Sequence, residues 1–364
     1  MLRRVLIAVI FGSCAQICNA QDLPAAADEQ ALRQAVTRAV TGFIEPSLER
    51  FAHEAQDHAQ AAAELCREPS AQNLDHARDR YAALVLGWAR IGFFKLPPFV
   101  EGNRSERVLF WPDPRGVTQR QVQRALAAKD PSVGAADSLS AKSVALQGLG
   151  ALEFVYFGGG ADQLAGLEGA HRCAYAAAIA VNLEHLAAHL AGAFAADGQF
   201  ARQITQPGSD NPLYRSGAEA AEDLLNDAAS GVEVVRDFML KPAMGETAAT
   251  ANAKVPPFWR SNLAVRFMQE RVSGVAHLIE IGGFSGALPQ DERWIERSLI
   301  LEFETAAAAL GDMGEDLRIA VADNDGRDAM RRALLSLLGL RTLLGETLPQ
   351  GLGLEIGFNA LDGD

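Results

Sequence analysis

What this chain lacks narrows its function first. It holds only four cysteines in 364 residues, and two of them, Cys14 and Cys18, fall within the first twenty. There is no Cys-x-x-Cys-His haem site, no Walker loop and no dinucleotide fingerprint. Nucleophilic hydrolysis finds no Gly-x-Ser-x-Gly elbow, and neither Cys66 nor Cys173 carries a local catalytic signature. No run of alternating residues reads as a strand. Positive charge is also short, with 33 Lys and Arg against 46 Asp and Glu and a net charge of −13. Such an acidic chain is a poor nucleic-acid binder, and cations suit it better as guests. Beyond the leader no segment makes a good membrane span. Ser143–Gly160 is long enough, but Gln147, Glu153 and a glycine-rich exit fit a helix buried between other helices.

What remains is a chain with a large apolar share, 49% hydrophobic and 22% charged. That supports a substantial core. The opening "MLRRVLIAVIFGSCAQICNA" has a basic start at Arg3 and Arg4, an apolar stretch Val5–Ile10 and a small-residue end. It reads as a secretory signal peptide over 1–20, with a mature start at Gln21 in the periplasm. Neither Cys14 nor Cys18 follows a convincing lipobox, so lipoprotein anchoring is the lesser route. Removing those residues takes away two arginines and no acid, so the net charge falls from −13 to −15. Cys66 and Cys173 survive, and an oxidising compartment permits a disulfide between them. Spacing alone leaves the pairing open.

Helical periodicity dominates and predicts an all-α fold. Helices are expected over 28–66, 72–94, 118–128, 164–196, 216–239, 258–281, 290–312 and 327–344. A Gly/Pro/Asn/Asp-rich stretch at 197–215 reads as a linker. It divides the chain into an N-terminal bundle, 21–200, and a C-terminal bundle, 201–364. Lys95–Gly116 is a long irregular connection with four prolines, and long ordered loops are usually functional. A weak echo joins the halves. "KLPPF" at Lys95–Phe99 returns as "KVPPFW" at Lys254–Trp259, and each precedes a helix with an acid and a Gly-Gly exit. It reads as duplication of a helical bundle.

The most informative segment is "SVALQGLGALEFVYFGGG". Its one charge, Glu153, is costly in an apolar run unless paired or protonated. Gly148 and Gly150 let another helix or a ligand approach that face. Arginines in or beside the irregular segments are the expected partners: Arg90, Arg104, Arg107, Arg115 and Arg260. Asp113, in "RVLFWPDPRG", is expected to pair with an arginine as well. Glu153 is then either half of a buried structural ion pair or the wall of a ligand crevice.

The stretches "RVLFWPDPRG", "KSVALQGLGALEFVYFG" and "PPFWRSNL" resemble the imelysin-like proteins, the M75 peptidase family, and in particular their predicted periplasmic or lipoprotein branch. The resemblance covers essentially the mature chain. It implies an all-helical fold of two bundle halves, export, and links to iron regulation and uptake. Iron or another divalent metal is the implied cofactor, and iron-uptake or redox proteins of the periplasm are the implied partners. The family motif Gly-x-His-x-x-Glu here reads Gly148, Gly150, Glu153, with glycine at the histidine position. Without the imidazole only the carboxylate of Glu153 remains as a metal ligand.

The candidate ligand-binding set is therefore Gly148, Gly150, Glu153, Arg90, Arg107, Asp113, Arg115, Arg260 and Ser261, and no catalytic residue is assigned. The leading expectation is a non-catalytic binding or accessory protein of periplasmic iron uptake. The alternatives are an M75-type metallopeptidase using Glu153 and a structural partner-binding module. Three other groups carry weaker signals. His185 and His189 have zinc-like i,i+4 spacing but suit a surface. His277 and Glu280 form a second His-x-x-Glu on an ordinary amphipathic helix. His53 and His58 read as a solvated acidic face.

Overall fold

The structure is a computed structural model, and it describes residues 28–354. The leader and the Gln21 start lie outside the described residues. Every regular element among the described residues is helical. The first half holds α1 (Glu29–Ala39), α2 (Glu45–Arg67), α3 (Ala71–Ile91), α4 (Pro97–Val100), α5 (Arg104–Val108), α6 (Val117–Ala128), α7 (Ala136–Ser140), α8 (Gly148–Phe157) and α9 (Ala170–Phe194). The second holds α10 (Gln199–Thr205), α11 (Gly217–Glu233), α12 (Lys241–Met244), α13 (Ala264–Gly282), α14 (Trp294–Asp312), α15 (Leu317–Ala320), α16 (Asn324–Thr342) and α17 (Leu348–Gly351). Wider π turns at Val40–Ile44, Val234–Leu240 and Leu343–Thr347 continue three of these helices rather than breaking them.

Local chemistry explains the helix starts. Asp28, Ser70, Ser216 and Asp323 each cap a free N–H in the first turn of α1, α3, α11 and α16, which satisfies a donor that the helix itself cannot. The apolar stripe of α2, from Leu48 through Phe51, Ala55, Ala62 and Leu65, is buried. It packs on α3 and α9 to make one bundle, while α11, α13, α14 and α16 make another. The bundles join where α3 packs on α13 and where α1 packs on α11 and α13. The 197–215 stretch is more structured than a linker. It contains α10, and Phe200, Ile204 and Tyr214 are buried, so apolar side chains pin it to the core.

Cys66 of α2 and Cys173 of α9 form a disulfide across 107 positions. By length and composition Leu167–Phe194 could cross a membrane. Here it is a core helix, packed on α2 and α8. The two Lys-x-Pro-Pro-Phe segments take different shapes. The first winds into α4, whereas the second turns sharply, with Phe258 at φ 65°.

Candidate functional site

Helix α8 carries the site, and two neighbours grip it by the same device. From α3, Arg78 donates to the Tyr156 carbonyl (2.9 Å) and Tyr81 donates its hydroxyl to the Leu149 carbonyl (3.1 Å). From α9, Arg172 donates to the Val155 carbonyl (3.0 Å) and Tyr175 to the Leu146 carbonyl (2.7 Å). Each pair is Arg-x-x-Tyr, i and i+3 on one face. The guanidinium groups take carbonyls that the end of α8 leaves free, where positive charge is also favoured by the helix dipole. The tyrosines fix its start.

Gly148 and Gly150 serve different ends. Gly148 has φ 73°, and a Cβ there would lie 2.4 Å from the Val108 carbonyl oxygen. It is the contact point of α8 on α5, where no side chain fits. Gly150 is open, because a Cβ would meet only Thr118 Cγ2, at 3.8 Å. It shares a face with Glu153 and lines a cleft of about 460 Å³. One wall of the cleft is Leu109–Gln119, the other Asn252–Arg260, and α8 is the floor. The walls are tied by Trp111 Nε1 donating to the Val255 carbonyl (3.3 Å) and by Arg260 donating to Gln119 Oε1 (2.7 Å).

Glu153 is 4% exposed. Its Oε1 accepts three bonds: from the Arg260 N–H (2.9 Å), the Ser261 N–H (3.0 Å) and the Ser261 hydroxyl (2.9 Å). Its Oε2 has no hydrogen bond among the described residues and is not sealed in, so it is the oxygen available to the cleft. Burial raises the Glu153 pKa above its ordinary value, and the Ser261 and Arg260 bonds oppose that rise. The expected arginine partner is thus Arg260, through its backbone rather than its guanidinium. That guanidinium lies over Trp259, 4.1 Å from the ring centroid. The backbone can do this because 258–263 is a turn, not the first turn of a helix as its periodicity predicts. Phe258 and Asn262 have positive φ, and the reversal aims two consecutive N–H groups at one carboxylate oxygen.

The remaining candidates divide. Asp113 lines the cleft, but it pairs with no arginine. Its carboxylate accepts from the Val117 and Thr118 N–H groups (both 2.8 Å) and so caps α6. Arg90 is ion-paired with Glu270 instead of Glu153. Arg107 presents its carbonyl to Gly148 and its side chain lines no part of this cleft. Arg115 is exposed and also outside the lining. Arg104 pairs with Glu101.

His185, His189, His277 and Glu280 are exposed. His277 stacks on Phe43, so it does not complete a His-Glu pair at the cleft. His58 reverses the expectation of a solvated face. It is fully buried behind α8, 3.2 Å from the Tyr156 hydroxyl, and burial pushes its pKa down to about 3. The burial of Tyr81 raises its pKa, and the charge of Glu153 adds to the effect. The signal missed was the stripe 51, 55, 58, 62, 65, which puts His58 on the buried face of α2.

A resident metal does not fit these residues. No group of three or more His, Cys, Asp or Glu able to hold one occurs among the described residues. Around Glu153 the donor set is one carboxylate oxygen, where a transition metal needs three or four ligands.

Known proteins agree on the fold. An imelysin-like protein from Psychrobacter arcticum superposes with a TM-score of 0.71 at 18% identity, over 92% of this chain and 100% of that one. A Parabacteroides distasonis protein described as a "putative iron-regulated protein A precursor" gives 0.71 at 14% identity, over 90% and 96%. No curated protein matches this chain. A family profile described as Imelysin, peptidase M75, matches residues 44–344. The chain belongs to the imelysin family.

Proposed function

We propose that this chain is an exported, non-catalytic binding protein of iron acquisition, and that its ligand enters the cleft above Glu153. The observation that carries the reading is the state of that carboxylate. One oxygen is fully engaged by Arg260 and Ser261, and the other is left for a guest. Such an oxygen accepts an N–H or O–H, or balances a positive charge. The guest would be flanked by Trp111, Phe154 and Trp259.

Catalysis is poorly served by the same geometry. The Ser261 hydroxyl donates to Glu153, whose Oε1 is already held by two backbone N–H groups, and it bonds to no histidine among the described residues. A metallopeptidase would need a ligand set that these residues do not offer. Iron acquisition is supported by the family and by the description of the Parabacteroides distasonis relative. Export is supported by the leader and by the Cys66–Cys173 disulfide, a bond at home in oxidising compartments.

The test uses Gly150, where a side chain can grow into the cleft without meeting backbone. A strain lacking the gene should grow poorly under iron limitation, and the wild-type gene should restore growth. Gly150→Phe, exported to the same level, should not. Full rescue by Gly150→Phe, or normal growth of the deleted strain, would remove the reading. Peptide hydrolysis by the purified protein that is lost in Glu153→Gln would favour the M75 alternative.

A further inference from the structure

A second cleft, of about 310 Å³, lies on the other side of Trp111. It shares Leu109, Trp111, Pro112 and Phe238 with the first, so one aromatic partition separates them. Arg271 of α13 lies in its wall and is only 5% exposed. The guanidinium makes no hydrogen bond or ion pair with a described residue. Among the described residues it meets the Phe267 ring, 5.2 Å from the centroid. Nε is fully buried without a partner, while the two terminal nitrogens are not sealed in.

A buried guanidinium without a carboxylate is expensive, and stacking on one ring offsets only part of that. Folds normally resolve such a charge with an acid. Glu106, the acid on the cleft rim, is exposed and forms no ion pair with Arg271. We propose that this cleft binds a small organic carboxylate, with both carboxylate oxygens on Arg271 and its apolar body among Trp88, Phe94 and Trp111.

The chemistry of the walls selects this class. A planar fork of N–H donors matches a carboxylate two bonds at a time. Arg271 is the one buried positive charge of the lining and matches one carboxylate, while Lys95, the other cation there, is exposed to solvent. The rest of the lining is mostly aromatic and aliphatic, which suits a hydrocarbon body. Val100, Glu106 and Phe238 on the rim are exposed, so the cleft opens to solvent. Burial lowers the Arg271 pKa to about 10, which still leaves the side chain charged at neutral pH.

Benzoate and its uncharged counterpart benzamide are the probes, read by calorimetry and by the fluorescence of Trp88 and Trp111. Benzoate should bind the full mature chain saturably at millimolar concentration or below, and benzamide about tenfold or more weakly, the scale of a charged hydrogen bond. Arg271→Leu should lose benzoate binding without losing thermal stability, which a purely structural arginine would not allow. Should that variant fail to fold, Arg271→Lys keeps the charge but not the fork, and should weaken benzoate about tenfold. Three results would overturn the proposal: no binding by the wild type, equal binding of benzoate and benzamide, or binding unchanged by Arg271→Lys. Loss of benzoate binding in Glu153→Gln with retention in Arg271→Lys would place the anion in the first cleft and also defeat it.

Discussion

Two clefts on either side of Trp111 each contain a buried charge, and the protein treats them differently. In one, Glu153 is met by three donors from the 258–263 turn. In the other, Arg271 is met by an aromatic face and open space. The first charge is part of how the two bundles hold together, because its donors come from the opposite half of the chain. The second contributes nothing comparable to the fold. A buried charge with internal partners therefore reports on architecture first, and one without them reports on a guest.

Substitutions sharpen this contrast. Glu153→Ala should destabilise the protein by about 3 kcal/mol or more, since three donors lose their acceptor in a buried site. Arg271→Leu should change stability by less than about 1 kcal/mol or raise it, as apolar replacement of buried charges often does. Chemical denaturation measures both, and equal losses would erase the distinction. The two glycines make a smaller version of it. Gly148→Ala should cost about 2 kcal/mol or more, because it combines a positive φ with a clash against Val108. Gly150→Ala, in open space within a helix, should stabilise by about 0.5–1 kcal/mol. A thermal shift of the same size for both would show that α8 does not dock as described.

The contrast also carries a pH dependence. The Glu153 pKa is raised from its ordinary 4.5 in the folded protein. The folded state therefore holds that proton more tightly than the unfolded chain does. The sign follows: stability is favoured at acid pH and lost as pH rises from 4.5 through the folded pKa. Glu153→Gln cannot ionise. The stability of the wild type minus that of Glu153→Gln should fall with pH across that window, by at most about 1.4 kcal/mol per pH unit. A flat difference would mean that Glu153 titrates as it does in the unfolded chain.

Much of this was legible in the sequence. The all-helical fold follows from apolar spacing, and Glu153 announces itself as the one charge in an apolar run. The loops facing it were also readable, from their prolines and aromatics. Its bonding was not. A carboxylate in a core suggests a guanidinium, but a backbone turn supplies donors that no side-chain pattern reveals. That turn depends on two non-glycine residues, Phe258 and Asn262, in the left-handed region, where such residues are uncommon. Asp113 shows the same blindness. Its place just before a helix start was visible, yet its neighbouring arginines drew the reading toward an ion pair. Arg271 lies on the apolar face of α13, between Phe267, Met268, Val272 and Val275, and passed as one more arginine in an amphipathic helix.

The bond between Cys66 and Cys173 has a consequence for the order in which the first cleft is built. The covalent ring it closes contains Glu153, α8 and the 109–119 wall, and excludes the 252–260 wall. A chain made from its N-terminus can complete that ring once residue 173 has emerged. Arg260 and Ser261 follow nearly ninety residues later. The ring and its carboxylate can thus exist as a finished piece before their donors do, and the cleft closes only once the second wall has followed.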